Sequence, residues 1–336
     1  MLGDLTPRLF LRRYWQKRPL FVAGALPEFV AAVDARALTT LAARNDAESR
    51  IVERSRGKWE TQHGPFKKIA TRKDNWTLLV SGVNWHVSRA EALLRRFDFV
   101  PQARLDDVMV SYATPGGGVG PHVDSYDVFL LQGPGRRRWR VAQKTYVAAP
   151  GDLLYVPPGW QHDGVALEPC LTYSVGFRAP RGAELAAAFL DWLHRRGLPD
   201  AEYRDSQLQP AKSNAKVPGQ MIDFADAVLR KIAWSRSDVA RFLGEYLTEP
   251  KPHVLFIPGK RTPTLKNGEI RLDAKTQLLY RGARFFINGE SFVAAKRDTA
   301  PLKELAERRR LPASRLARLA GLIRQWQAAG YLRLEK

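Results

Sequence analysis

The sequence predicts an α+β chain centred on a jelly-roll barrel, with helices on its N-terminal flank, a helical segment behind it and a winged-helix-like unit at its C-terminal end. Three changes of texture predict this. Between Val108 and Arg178, short apolar runs are separated by glycine and proline, as in a barrel of many short strands. From Gly182 apolar residues recur at intervals of three and four, which is helical spacing. After Pro250-Lys251-Pro252 short strand-like runs return and then give way to two helical stretches.

In chain order, residues 6–16, 27–43 and 89–97 read as helices and 77–80 as a strand. The barrel strands are expected at 108–112, 128–131, 138–141, 153–156 and 171–177. Helices follow at 183–196, 221–234 and 237–247, and the polar stretch 207–220, with Pro210 and Pro218, separates the first from the others. Phe224, Val228, Leu229 and Ile232 form a stripe on the middle helix that is either core or a subunit interface. Residues 269–272, 277–280, 284–287 and 291–294 read as an antiparallel meander, with Asn288-Gly289 as a hairpin turn. Helices at 301–309 and 314–328, a turn at 310–313 and a strand at 331–334 complete the winged-helix-like unit. Its Arg308, Arg309, Arg310, Arg315 and Arg318 would suit phosphates, although a basic helix face is usually just solvated. The expected units are therefore 1–205, with the core barrel at about 100–180, then 206–250 and 251–336.

With 336 residues and 45% hydrophobic content the chain can bury a core in each of two or three units. The single cysteine, Cys170, excludes an intramolecular disulfide and a thiolate zinc site, and a reducing cytoplasm is the expected location. Charged Asp4, Arg8, Arg12 and Arg13, and the lack of any apolar run of roughly 18 residues, predict neither a signal peptide nor a membrane span. The 54 Lys+Arg against 34 Asp+Glu give a formal charge of +20, which draws the protein toward polyanions such as RNA, unless the excess is ordinary solvated surface.

The chemistry concentrates in two stretches. His122-Val123-Asp124 stands behind the glycine-rich turn 115–121, and His162 closes Pro157-Pro158-Gly159-Trp160-Gln161-His162. In a strand, residues two apart share a face, so His122 and Asp124 can grip one ion, with His162 supplied by a later strand. Two imidazoles and a carboxylate on one side leave the opposite positions open, which suits ferrous iron that must also bind a cosubstrate and dioxygen. The alternative is two satisfied core histidines and a turn carboxylate. Three ionisable groups converging in an apolar barrel without a cation would carry a heavy desolvation cost. His63, His86, His194 and His253 lack such a frame and read as surface or hydrogen-bonding residues.

Gly133-Pro134-Gly135-Arg136-Arg137-Arg138-Trp139 opens the next strand. A dicarboxylate that chelates iron through one end needs a cation for the other, and arginine offers a planar fork. Alternation puts Arg137 and Trp139 on one face and Arg136 and Arg138 on the other.

Together with Tyr14-Trp15-Gln16-Lys17-Arg18-Pro19-Leu20, these stretches resemble the JmjC-type, cupin-fold oxygenases, whose double-stranded β-helix uses Fe(II) and 2-oxoglutarate with O2. Residues 115–127, Gly135-Arg136-Arg137-Arg138-Trp139 and Tyr173-Ser174-Val175-Gly176-Phe177-Arg178 are most similar to the bacterial ribosomal oxygenases of the arginine-hydroxylase type, and the similarity covers the whole chain. The resemblance implies that His122, Asp124 and His162 are iron ligands and that Arg137 holds the cosubstrate's distal carboxylate, with Ser174 as a further donor. It implies a homodimer through 206–250, and hydroxylation of an arginine of the large-subunit ribosomal protein numbered sixteen, with a contact to ribosomal RNA left open. A guanidinium substrate calls for acidic and aromatic groups near the iron; Asp106, Asp107, Tyr126 and Asp127 are nearest in sequence, each equally readable as a turn or surface residue. A same-fold histidine hydroxylase or N-methyl-lysine demethylase, and a non-catalytic RNA-binding scaffold, are the alternatives. Asp163-Gly164 departs from the Glu-Gly that members often carry there, outside the ligand set.

Overall fold

A computed structural model describes residues 1–69, 74–259 and 268–335. Two facing antiparallel sheets form its centre. The larger is ordered Leu20–Val22, Leu153–Val156, Val128–Gln132, Cys170–Phe177, Leu105–Ala113, Trp76–Val80, Ser49–Ser55 and Lys58–His63; the smaller is ordered His122–Val123, Gln161–Ala166, Arg137–Val141 and Lys144–Ala148. Strands distant in sequence alternate in these orders, which is the double-stranded β-helix arrangement.

The barrel strands read as unbroken apolar runs because both faces of the large sheet are covered. Phe129, Leu131, Leu153, Tyr155 and Tyr173 pack outward onto Phe10, Leu38, Leu93, Leu94 and Phe97 of the helical flank. Their alternating neighbours Val128, Leu130, Leu154 and Val156 pack with Trp139 and Val141 of the smaller sheet.

Several expectations need correction. The helix expected at 27–43 is present only as Ala35–Ala42, because Asp34 caps it, accepting from the Ala37 N–H at 2.7 Å. The hairpin of Ser49–Ser55 and Lys58–His63 has no counterpart in the sequence reading. It lies at the sheet edge, where Arg50, Glu53, Arg54, Lys58 and Glu60 break the apolar alternation.

Behind the barrel, Gly182–Arg195 packs on Arg236–Thr248 through Phe189, Trp192 and Phe242. The helix Gly219–Leu229 stops short of residue 234 and buries none of its residues, so its Phe224, Val228, Leu229 stripe is not core within one chain.

In the last unit, Glu269–Leu272 is not part of the meander. It pairs with Arg310–Pro312, expected as a turn, and with Leu332–Glu335; the meander is Leu278–Arg281, Arg284–Ile287 and Glu290–Val293. Asn288 and Gly289, at φ 47° and 91°, make its second turn as expected. The helix expected at 314–328 begins as a 3-10 helix, Ala313–Leu319, before Ala320–Ala328.

Three of the five arginines proposed for phosphates are committed elsewhere. Arg308 and Arg315 both pair with Glu304. Arg309, in the left-handed conformation at φ 60°, ends the helix Lys296–Arg308 and is buried, donating to the Asp273 and Thr276 carbonyls at 2.7 and 2.8 Å and to Glu91 at 3.2 Å. Arg310 and Arg318 remain exposed. Among the described residues no helix is long and apolar enough to cross a membrane.

Candidate metal and cosubstrate site

A cavity of about 430 Å³ opens between the two sheets. His122 and His162 are directly opposed across paired strands, and Asp124 follows His122 by two residues. The Asp124 Oδ2 lies 3.6 Å from Nε2 of His162 and 4.0 Å from Nε2 of His122, and one ligand atom from each residue falls within 4.8 Å of the others. Backbone clamps hold the two strands together: the Gly116 N–H donates to the Ala166 carbonyl and the Gly159 N–H to the Asp124 carbonyl. Gly120 sits at φ 79°, and a Cβ there would stand 2.7 Å from Nε1 of Trp59, so both conformation and space demand glycine.

Each imidazole is oriented by its other nitrogen. Nδ1 of His122 lies 2.9 Å from the Gly120 carbonyl oxygen and Nδ1 of His162 lies 3.0 Å from that of Trp160. A carbonyl can only accept, so Nδ1–H donates and the Nε2 lone pairs are left facing Asp124. Burial lowers the His162 pKa, which keeps that ring neutral. Two imidazole Nε2 atoms beside a carboxylate are a ligand set for a divalent cation.

Arg137 and Trp139 point inward while Arg138 and Arg140 point out, as alternation predicted. Arg137 is 4% exposed; its Nη1 donates to Ser111 Oγ at 3.3 Å, its guanidinium lies within hydrogen-bonding reach of the Cys170 sulfur, and among the described residues Nε and Nη2 have no oxygen or nitrogen partner. The nearby Cys170 thiol is pushed up by burial and is uncharged, so it supplies no counterion. A buried cation with two idle donors fits an anionic group, and a carboxylate presents the matching fork. The residues present thus fit both a metal ion and a dicarboxylate.

The remaining candidates divide. Ser174 lines the same cavity, as do Asp106, Asp107 and Tyr126. Asp107 is buried and accepts from the Gly82 N–H at 2.7 Å; burial, and then the Asp106 charge, push its carboxyl up to about 6. Burial, and then the Asp124 charge, push the Tyr126 phenol up to about 12. Asp127 does not line the cavity, contrary to its expected place beside a substrate. It is fully buried on the other side of the sheet, accepting from the Tyr155 hydroxyl at 2.6 Å, Gln16 Nε2 at 3.0 Å and Arg104 at 3.2 Å. It anchors the Tyr14–Leu20 stretch to the barrel. Asp163 points away from the cavity and pairs with Arg140 at 3.6 Å.

The sequence reading missed Ser111, although its alternation with Asp107 and Met109 on one strand was a usable signal. It also missed Lys251, which lines the cavity from a distant segment and gave no local signal. A larger cavity, about 1000 Å³, lies between the helix Arg236–Thr248 and the winged-helix unit; its lining includes Trp234, Leu243 and Phe286 and none of the candidate ligands.

Facing antiparallel sheets that hold a His, Asp, His cluster and a buried arginine define a cupin-type protein of the JmjC class. Comparison with known proteins agrees: the JmjC domain family matches residues 92–149 and 142–185, and the ROXA-like winged helix family matches 231–333. The ribosomal protein uL16 3-hydroxylase of Escherichia coli is 36% identical over 314 residues, 84% of each chain. A probable ribosomal oxygenase of Haemophilus influenzae is 36% identical over 208 residues, 54% of this chain and 52% of its own. The structure of YcfD, a ribosomal oxygenase from Escherichia coli, in complex with cobalt and 2-oxoglutarate superposes with a TM-score of 0.83 at 32% identity, covering 99% of both chains. The chain belongs to the ribosomal oxygenase family.

Proposed function

We propose that this chain is an Fe(II)- and 2-oxoglutarate-dependent oxygenase that hydroxylates an arginine side chain of uL16, the large-subunit ribosomal protein numbered sixteen. One observation carries the reading: the unpaired Arg137 guanidinium shares a cavity with the His122, Asp124, His162 cluster. The uL16 specificity of the Escherichia coli relative supports the target.

In this reading His122, Asp124 and His162 hold the iron, and Arg137 and Ser111, with Ser174 near them, hold the far carboxylate of 2-oxoglutarate. When bound, iron and cosubstrate place one atom of O2 on a substrate C–H bond and the other in succinate, with loss of carbon dioxide. The chain's own residues position the reactants. The Nδ1 hydrogen bonds fix the imidazoles, and Val128, Leu130 and Trp139 make an apolar wall that limits water. Asp107 stands four residues from Ser111 on one strand, roughly 13 Å at about 3.3 Å per residue. It therefore offers a carboxylate to a cationic side chain at the end of the cavity opposite Arg137, with Tyr126 at the mouth.

The chain divides, on this reading, into a catalytic unit (1–205), a dimerisation segment (206–250) that uses exposed Met221, Ile222, Leu229 and Trp234, and a winged-helix unit (251–336) whose Arg310 and Arg318 face ribosomal RNA. It works in the cytoplasm. The test is to incubate the purified protein, iron and 2-oxoglutarate with ribosomal proteins from a strain lacking the enzyme and to locate any added oxygen by tandem mass spectrometry. Oxygen on an arginine of uL16 is expected. Oxygen on histidine, loss of methyl from lysine, or no 2-oxoglutarate turnover would each replace this reading with one of its alternatives.

A further inference from the structure

The acidic end of the cavity contains a cation that does not come from the barrel. Lys251 stands between Pro250 and Pro252 in the segment leading to the winged-helix unit, and its ammonium lies 2.9 and 3.0 Å from the two oxygens of Asp106. That ammonium sits 5.7 Å from the centroid of the Trp85 ring, which also packs on His253. Asp106 has a second cation, Arg178, whose Nε is 3.5 Å away and whose Nη1 donates to the Leu247 carbonyl. Asp106 thus has two cationic partners. Asp107, the next residue, has only the Gly82 N–H as a hydrogen-bond donor and, among the described residues, forms no ion pair. Burial and Asp106 disfavour its charge, and Lys251 and then the Gly82 N–H oppose them. Glu48 at the start of the edge hairpin adds a weak like charge, and Arg50 and Tyr126 line the same cavity.

We propose that Lys251 is a specificity-determining residue of this cavity: by pairing with Asp106 it leaves Asp107 as the carboxylate without an ion pair, placed to receive one cationic side chain of the substrate. This rests on the oxygenase reading above and deepens it, since it names what sets the charge of the substrate end. Without Lys251 the Asp106 charge weighs more heavily on Asp107, which takes up a proton more readily and then discriminates poorly for a guanidinium. Lys251 acts through Asp107 and is a positioning residue; it need not touch the substrate.

The test compares two substitutions with opposite expected signs. Lys251→Met removes the cation, and Asp106→Asn removes the like charge. The Asp107 titration is read by carbon-13 NMR of aspartate-labelled protein, with the resonance identified by its loss in Asp107→Asn. Lys251→Met should raise that titration by about one pH unit, Asp106→Asn should lower it, and Lys251→Arg should leave it near wild type. In turnover of an arginine-bearing uL16 fragment, a one-unit rise from about 6 increases KM roughly fivefold at pH 6, with no rise at pH 8.5. An Asp107 titration unmoved by Lys251→Met, or moved in the same direction by both substitutions, overturns the proposal. A wild-type protein that neither binds nor consumes 2-oxoglutarate defeats the oxygenase reading instead, and the NMR titration of that same protein still decides the role of Lys251.

Discussion

Replacing Arg137 with Met should make the ligand-free protein more stable and at the same time abolish its response to 2-oxoglutarate. The guanidinium is buried with Nε and Nη2 unpartnered, and burial lowers its pKa, so folding disfavours its charge. The Trp139 ring, 5.5 Å from the guanidinium carbon, offsets only part of this. Replacing buried ionic groups by well-packed apolar residues of similar volume is often neutral or stabilising by about 1–4 kcal/mol, and Arg137 has no carboxylate partner to leave behind among the described residues. At about 2 °C per kcal/mol for a chain of this size, the variant should melt roughly 2–8 °C higher when ligand-free. The opposite holds for the ligand. Two hydrogen bonds from a charged group, about 1.5–3 kcal/mol each, amount to about 3–6 kcal/mol, on the order of 10²–10⁴ in Kd. At a hundredfold excess over Kd the wild type should gain about 2.7 kcal/mol, or roughly 5 °C. Melting curves with Mn(II) in place of iron, with and without 2-oxoglutarate, measure both effects. A variant that melts below wild type when ligand-free, or that binds 2-oxoglutarate within tenfold of wild type, would refute the reasoning.

Three further outcomes are expected. His122→Ala should reduce iron-dependent succinate formation to background, and turnover equal to wild type would remove His122 from the ligand set. Asp107→Asn should stabilise the protein at pH 8 but not at pH 4. The native carboxyl titrates near 6 and the unfolded one near 3.9, so between these values the native state holds a proton the unfolded state has released, and stability falls as pH rises. Unfolding at the two pH values checks this, and the same variant should use the uL16 fragment poorly. Arg309→Ala leaves Glu91 with only the longer Arg271 pair at 3.6 Å, the Asp273 carbonyl with only the Thr276 N–H, and the Thr276 carbonyl without its Arg309 donor, at a cost of about 3 kcal/mol. Hydrogen exchange should then rise across Glu269–Leu272, and unchanged protection would show that Arg309 contributes little.

The sequence disclosed those parts of the molecule whose signal is local. The barrel strands announce themselves because burial on both faces forces continuous apolar residues, and His122, Asp124 and Arg137 could be placed on faces because strand alternation is geometric. The edge hairpin stayed hidden because Lys58–His63 is largely exposed and its residues answer to solvent. Glu269–Leu272 looked like the first strand of a meander because its real partners lie some forty and sixty residues on, beyond any window of periodicity. Asp127 lies close to the ligand loop only in sequence; a strand reverses faces at every residue, and proximity along the chain said nothing of the side. Arg309 shows the same limit: in a run of three arginines nothing marks the middle one as an internal strut.

The opposition of His122 and His162 makes the length of the turn before them a strict requirement. His122–Val123 is a strand of only two residues, so the pairing that aims both rings inward relies on the flanking backbone clamps at Gly116 and Gly159 to keep its register. Gain or loss of one residue between Gly116 and Pro121 would present Val123 or Pro121 where an imidazole belongs and turn the ring toward solvent. The large sheet and its helical backing do not depend on that turn, so such a lesion leaves a folded protein with no centre. Lineages of this chain are therefore held to the number of residues in the turn as firmly as to its glycines at 116 and 120.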